Sequence, residues 1–400
     1  MVGNVRQAPV LVGLSGGLDS LVAAYLLKIQ KRELYAAVIA STPEQFQDAG
    51  EQLFACHQSE ERLKAVKKFC DHLQIPLTVI RPREEFQDSV LEPWLAAKVQ
   101  GKRPRHCSDC HAFRLQLLWR QMRELKCQSL ATGHYAKLVR SAPEAPVNVY
   151  SSNDLEFDQS HLLATLPQSL LSSLELPLAE LQKKEILKIA ENFALTPGPR
   201  EVSFGHCLPP LPVVTNWLSA QLPKAFARPG EFVLGESTLG DHVGVASFQY
   251  GELPPDEKLA AKELVVVGFD WTKKSAYLGS TTSFLDTGVF LRGCQWDHPS
   301  SLGAPVKGYL HRGGGLNDLE VLVTPRTLGG AWVTLLEPDQ TILFELGRDL
   351  TVYRRRGKNA KVLVVGEMFR LARDWGKNTI EIEGNGGPTT NRVLDKDFNF

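Results

Sequence analysis

The hexapeptide Ser15-Gly16-Gly17-Leu18-Asp19-Ser20 constrains this 400-residue chain more than any other feature. It follows directly on the apolar run Val10 to Leu14, which reads as a buried strand. It opens a stretch from Ser20 to Ile29 in which Leu21, Ala24, Tyr25 and Leu27 fall at helical spacing. A strand that turns through two glycines into a helix gathers backbone N–H groups and the positive end of the helix dipole at one point, which makes an anion cradle. The loop lacks the Gly-Lys-Ser/Thr ending of a Walker loop and the spacing of a dinucleotide fingerprint, which argues against P-loop kinases and dinucleotide-dependent oxidoreductases. Its bland alternative is a plain Gly-rich strand-to-helix turn.

The alternation continues through the first 140 residues. Leu34 to Ile39, Leu77 to Ile80 and Ser129 to Thr132 read as strands, separated by helices over about Ser59 to Leu73 and Ala112 to Leu125. This pattern predicts an α/β fold with an N-terminal parallel sheet and flanking helices, and ligands in such sheets bind at the carboxyl ends of the strands. Ser141 to Phe157 reads as a loop. Leu176 to Ala194 reads as one periodic helix, broken by Thr196-Pro197-Gly198-Pro199. Past about residue 228, Gly-rich turns separate short β-like runs such as Leu264–Phe269, Val321–Val323, Trp332–Leu336 and Val362–Val365, which predicts two small β-rich domains. The expected division is 1–205, 206–290, 291–375 with a barrel-like fold, and a loosely held tail over 376–400.

No run approaches the roughly 20 apolar residues of a bilayer span, and the start of the chain has no signal-peptide pattern, so a cytoplasmic protein without a membrane partner is expected. The 7 cysteines are too sparse for a disulfide scaffold and point to thiol or metal chemistry, with four of them open to plain core use. Net charge is zero, but residues 1–140 hold 20 Lys and Arg against 14 Asp and Glu, and the remainder 25 against 31. A local basic face is what phosphate contact needs, so a neutral chain still admits an RNA partner.

Cys107-Ser108-Asp109-Cys110 lies in a basic stretch, Lys102-Arg103-Pro104-Arg105-His106, expected as a loop just before the helix at Ala112. Positive surroundings and a helix N-terminus both favour a thiolate there. Taken alone, a Cys-x-x-Cys pair is open to redox, metal and structural readings. Another isolated cysteine in a comparable setting is Cys207, in Phe204-Gly205-His206-Cys207-Leu208-Pro209-Pro210.

The motifs together resemble the tRNA-specific 2-thiouridylase family of N-type ATP pyrophosphatases, which have an adenine nucleotide α-hydrolase-like catalytic domain. Residues 103–111 are similar to the family's first cysteine loop, Gly205-His206-Cys207 to its second, Ala131-Thr132-Gly133-His134-Tyr135 to an intact signature, and Asp158-Gln159-Ser160 to its Asp-Gln-Ser-Tyr. Leu176-Pro177-Leu178-Ala179-Glu180-Leu181, Pro229 to Val233 and Gly240 to Gly244 extend the similarity to about residue 250, and more weakly to about 370. The departures are Arg105-His106 in place of Asn-Pro, Phe248 to Leu253 in place of Gly-Gln-Arg-Lys-Gly-Leu, and an altered acidic pattern near Glu60.

The resemblance implies adenylation of uridine O2 by ATP with Mg²⁺, then replacement of the oxygen by sulfur delivered by a sulfur-donor protein or sulfide. By that resemblance, Gly13, Leu14, Ser15, Gly16, Gly17, Leu18, Asp19, Ser20, Ile39 and Gly133 hold ATP, with Asp19 at the Mg²⁺–pyrophosphate. Arg105, His106, His134, Asp158 and Gln159 face tRNA. Cys207 matches the persulfide carrier, and Cys110 matches the thiol that attacks it and forms a transient disulfide. In a second version Cys107, Cys110 and Cys207 ligate a [4Fe–4S] cluster. Two readings of other classes stay open at this level: a pyrophosphatase acting on a small-molecule carbonyl, and a noncatalytic RNA-binding relative.

Overall fold

In the computed structural model the described residues are 8–40, 60–99, 106–193, 195, 218–248, 251–254, 256–270, 272–310, 318–326, 329–337, 342–343 and 349–371. The anticipated strands are present as β1 (Val10–Gly13), β2 (Leu34–Ile39), β3 (Leu77–Ile80) and β4 (Ser129–Ala131), followed by β5 (Lys137–Arg140), β6 (Val147–Tyr150) and β7 (Leu174–Glu175). Five of them form one sheet in the order β3-β2-β1-β4-β7, and every neighbouring pair is parallel.

Alternation along the strands sends side chains to two helix layers. Val10, Val12, Ala36, Val38 and Ala131 pack against Leu21, Ala24 and Leu27 of helix α1 (Leu18–Ile29) and Val66 and Cys70 of α2 (Glu60–Leu73). Leu11, Ala37, Ile39 and Leu130 pack on the other face against Trp94 and Leu95 of the helix Glu92–Val99 and Phe113, Leu117 and Leu118 of the helix His106–Glu124.

The β-rich remainder forms a four-stranded sheet and a closed six-stranded barrel. The sheet strands are β8 (Gly230–Leu234), β9 (Ser237–His242), β10 (Val265–Asp270) and β11 (Ser275–Gly279), in the order β10-β11-β8-β9. The barrel strands run around the wall as Gly288–Trp296, Gly330–Leu335, Leu319–Arg326, Val306–Leu310, Asp349–Tyr353 and Val362–Leu371, all antiparallel to their neighbours. Inward-facing Val289, Leu291, Val321, Val323, Val333, Val352 and Leu363 fill its interior.

Three expectations change. The segment Ser141 to Phe157 is not wholly loop, because β5 and β6 pair antiparallel and Val147 and Val149 are buried. The periodic stretch from Leu176 is helical only over Lys183–Asn192. Its start is fixed where the Glu185 carboxylate accepts the Gln182 N–H at 2.7 Å. The helix expected at Ala112 begins six residues earlier, at His106, so Cys110 lies on the helix itself, with Asp109 in its first turn complementing the dipole. The tail 376–400 lies outside the described residues. Among the described residues no helix is long and apolar enough to cross a membrane.

Candidate active site

In the order β3-β2-β1-β4-β7 the chain leaves β1 towards one side of the sheet and β4 lies on the other, so a crevice opens beyond the carboxyl ends of β1 and β4. The loop Leu14 to Ser20 leaves β1 there, and Thr132-Gly133-His134 leaves β4. The Leu14 N–H donates to the Ala37 carbonyl at 2.8 Å, continuing the sheet one step beyond the strand. Gly16 then takes φ +76°, the left-handed region that glycine adopts without strain.

Ser15 and Ser20 fold the loop on itself. The Gly17 N–H donates to Ser15 Oγ at 3.2 Å, and Ser20 Oγ donates to the Gly17 carbonyl at 2.8 Å. Gly17 caps α1 with no side-chain hydrogen bond. Gly133 forms the opposite wall. A methyl group on its Cα would stand 2.7 Å from the carbonyl carbon of Asp19 and 2.8 Å from the Ser20 nitrogen, so only glycine lets the two loops close to this separation. Gly13 is tight against Leu118, whose side chain can give way. Ile39 ends β2 with its side chain in the core, leaving its backbone at the crevice.

Asp19 is held from two sides. Tyr135 Oη donates to Asp19 Oδ1 at 2.6 Å, and Lys183 Nζ lies 2.7 Å from Oδ1 and 2.8 Å from Oδ2. Both side chains of the ion pair keep partial exposure, at 17% for Lys183 and 22% for Asp19, which leaves the carboxylate at the mouth of the cradle. Lys183 also stands 5.6 Å above the rings of Tyr135 and Phe157. An anion loop, a wall that a Cβ would fill and an acid at its mouth together fit a metal-bound triphosphate.

In the residue after Gly133, His134 Nε2 meets His111 Nε2 at 2.8 Å, and its Nδ1 lies 2.9 Å from Thr132 Oγ1. Burial drives the His134 imidazole down to about 4, with the nearby His161 charge adding to it. Burial also lowers His111, where His134 adds to the effect, and His161. All three imidazoles are therefore neutral at neutral pH. His111 follows Cys110 on the same helix, so the His111–His134 contact brings the half-buried Cys110 segment next to the loop after β4.

Of the residues expected to face tRNA, Asp158 accepts Ser152 N–H at 2.7 Å, Ser160 Oγ at 2.6 Å and Tyr353 Oη at 3.1 Å, and Gln159 Oε1 accepts the Tyr135 N–H at 3.1 Å. Arg105 and Cys207 lie outside the described residues, as do the side chains of His106 and Cys107. Of the three cysteines expected at a cluster, Cys110 alone has a described side chain. Among the described residues no group of three His, Cys, Asp or Glu side chains is arranged to hold a metal.

The remaining described cysteines behave as core groups. Burial pushes the Cys70 and Cys294 thiols up to about 12 and raises Cys127. Lys183, His111 and the Tyr135 hydroxyl are the site groups that sequence reasoning missed. A Lys-Lys pair at a helix start reads as solvated charge, and nothing local reveals a partner far along the chain.

Residues 8–209 match the family model described as tRNA methyl transferase HUP domain. The tRNA-specific 2-thiouridylase of Bradyrhizobium sp. (strain ORS 278) is 28% identical over 310 residues, covering 76% of each chain. That of Brucella ovis is 29% identical over 300 residues, covering 74% of this chain and 73% of the relative. Among solved structures, a 4-thiouridine synthetase–RNA complex with bound ATP is 15% identical over 54% of this chain and 51% of that one, with a TM-score of 0.31.

Proposed function

The chain belongs to the tRNA methyl transferase HUP domain family and is a divergent relative of the tRNA-specific 2-thiouridylases, and on that premise we propose that it is an ATP-dependent tRNA uridine 2-sulfurtransferase. One observation carries the reading: the loop Ser15 to Ser20 and Gly133 close on each other around Asp19, and the His111–His134 contact brings the helix of Cys110 to the same crevice. A nucleotide-activating end and a thiol-bearing end then meet at one place, as sulfur transfer requires.

Uracil O2 is a poor leaving group. Attack of O2 on the α-phosphate of ATP releases pyrophosphate and leaves an O2-adenylate. Sulfide adding at C2 then expels AMP. The backbone N–H groups of the loop and α1 bind phosphate oxygens, and the Asp19 carboxylate faces the Mg²⁺–pyrophosphate. Magnesium supplies charge neutralisation on the triphosphate when bound.

The Cys110 thiolate attacks the persulfide of Cys207, releasing hydrosulfide and leaving a Cys110–Cys207 disulfide, which a thiol reductant resets before the next turnover. The persulfide's outer sulfur is sulfane sulfur handed over by a persulfide-bearing donor protein, whose own cysteine leaves as the thiolate; free sulfide serves only the cluster variant. Cys107 as a third thiol keeps the cluster variant of the same delivery open to test. Methyl transfer, the activity in the family's description, calls for neither an adenylating loop nor a thiol beside it. Ile39 and the loop residues Gly13 to Ser20 form the ATP side, and Arg105, His106, His134, Asp158 and Gln159 the tRNA side.

The test is turnover with tRNA and ATP. AMP and pyrophosphate should appear together with 2-thiouridine, and Asp19→Ala should abolish all three with an unchanged circular dichroism spectrum. Release of ADP would refute adenylation.

A further inference from the structure

Residues 150–160 lie between the barrel and the candidate active site and are tied to both. On the barrel side, the Ser151 N–H donates to the Ala360 carbonyl and the Ala360 N–H to Ser151 Oγ, both at 2.8 Å. Asn359 Nδ2 reaches Asn153 Oδ1 at 2.8 Å, and Tyr150 bridges Lys361. Tyr353, at the end of its barrel strand, meets Ser160 Oγ at 2.9 Å and Asp158 Oδ2 at 3.1 Å, with Ser160 and Tyr353 both buried.

The opposite side of the same segment reaches Asp19. Gln159 holds Tyr135 at two points, its side chain accepting the Tyr135 N–H at 3.1 Å and its own N–H donating to the Tyr135 carbonyl at 2.8 Å. Tyr135 in turn donates to Asp19. Asp154 accepts the Lys183 N–H at 2.9 Å, which fixes the first residue of the helix whose ammonium grips Asp19. Both groups that orient the Asp19 carboxylate are thus seated by one segment, and the barrel seats that segment.

We propose that residues 150–160 act as a strap through which the barrel holds Asp19 in place for metal-bound ATP, with Tyr135 and Tyr353 as its positioning residues. The inference rests on the reading that Asp19 faces the Mg²⁺–pyrophosphate. Neither tyrosine is catalytic: Tyr135 acts through Asp19, and Tyr353 acts through Asp158, Gln159 and Tyr135.

Equilibrium binding of ATP to the full chain, with Mg²⁺ and with EDTA, tests it. Removing one hydroxyl that donates to a carboxylate should weaken Mg·ATP binding by about threefold to tenfold in Tyr135→Phe, where the carboxylate is Asp19 itself, and by roughly twofold to fivefold in Tyr353→Phe, which is one step removed. Metal-free ATP should bind all variants alike. Because the Tyr353 hydroxyl reaches Asp19 through the Tyr135 hydroxyl, the double variant should bind about as Tyr135→Phe alone does. Tyr277→Phe, the same deletion in the four-stranded sheet, should leave binding unchanged.

A Tyr353→Phe protein that melts earlier but binds Mg·ATP as the parent does would overturn the strap, as would fully additive losses in the double variant. Asp19→Ala separates the two levels. If it loses Mg·ATP binding while Tyr135→Phe and Tyr353→Phe keep it, only the strap fails; if it binds as the parent does, the reading of Asp19 fails and takes the strap with it.

Discussion

Gly133 is the residue at which one methyl group should do most damage, because the obstacle is the backbone of Asp19 and Ser20, which cannot rotate away. Gly133→Ala is expected to cost about 1–3 kcal/mol in thermal or chemical denaturation and to remove ATP binding. Gly13→Ala faces only the tip of Leu118 and should be milder on both counts. His134 gives a pH prediction of fixed sign. Its imidazole sits at about 4 in the folded chain and near 6.5 when unfolded, so the unfolded state takes up the proton first as pH falls. Its contribution is fully present above about pH 6.5 and is lost towards pH 4, a span worth on the order of 3 kcal/mol. His111 and His161 shift in the same direction. Melting temperature should therefore fall steeply below pH 6.5, and the slope should flatten in His134→Asn; a parent protein with a flat profile over that range would contradict the buried neutral imidazole.

At the scale of elements, the helix His106–Glu124 carries Cys110 and His111 on consecutive positions, which makes it the place to test the proposed sulfur transfer. Cys110→Ser should leave ATP binding intact and abolish 2-thiouridine formation. Cys107→Ser should keep most activity if a persulfide relay operates, and should be as severe as Cys110→Ser, with loss of brown colour after anaerobic purification, if a cluster does. The helix Glu92–Val99 offers a stability test: Lys98 is buried, its amine driven down to about 8 by desolvation against a weaker pull from Glu252, and it donates to the Phe248 carbonyl at 3.3 Å. Lys98→Met should be as stable as the parent or more so, whereas Lys98→Ala should lose about 1–3 kcal/mol. The strands and the two sheet-facing helix layers were legible because apolar residues recur at the right spacing. The start of the helix at His106 was not, because Cys107 to His111 carry no apolar period. The β5–β6 hairpin was hidden by short strands with polar residues between them, and the long apolar period from Leu176 concealed that only Lys183–Asn192 is helical. The anion loop was read directly from its glycines, while the grip of Lys183 and Tyr135 on Asp19 spans 164 and 116 residues and leaves no local trace.

At the scale of the whole molecule, neutral overall charge conceals a basic segment from Lys98 to Lys126 with eight Lys and Arg, of which the buried Lys98 is not available to a phosphate, against two acids. If tRNA lies over it, affinity should fall linearly on a log–log plot of binding constant against salt, since each neutralised phosphate releases counterions. A salt-insensitive affinity would point away from an RNA substrate. The proposed boundaries at 205 and 375 predict that limited proteolysis cuts near those positions before it enters the sheet or the barrel, whereas 290 falls inside the barrel strand Gly288–Trp296, so the middle boundary belongs before Gly288. The central claim is that the loop around Asp19 and the thiol of Cys110 serve one reaction on tRNA. Mass spectrometry of tRNA nucleosides from cells with and without the gene tests it most directly. The account predicts that 2-thiouridine derivatives disappear on deletion and return with the parent gene but not with Asp19→Ala or Cys110→Ser; an unchanged thionucleoside profile in the deletion strain would contradict it.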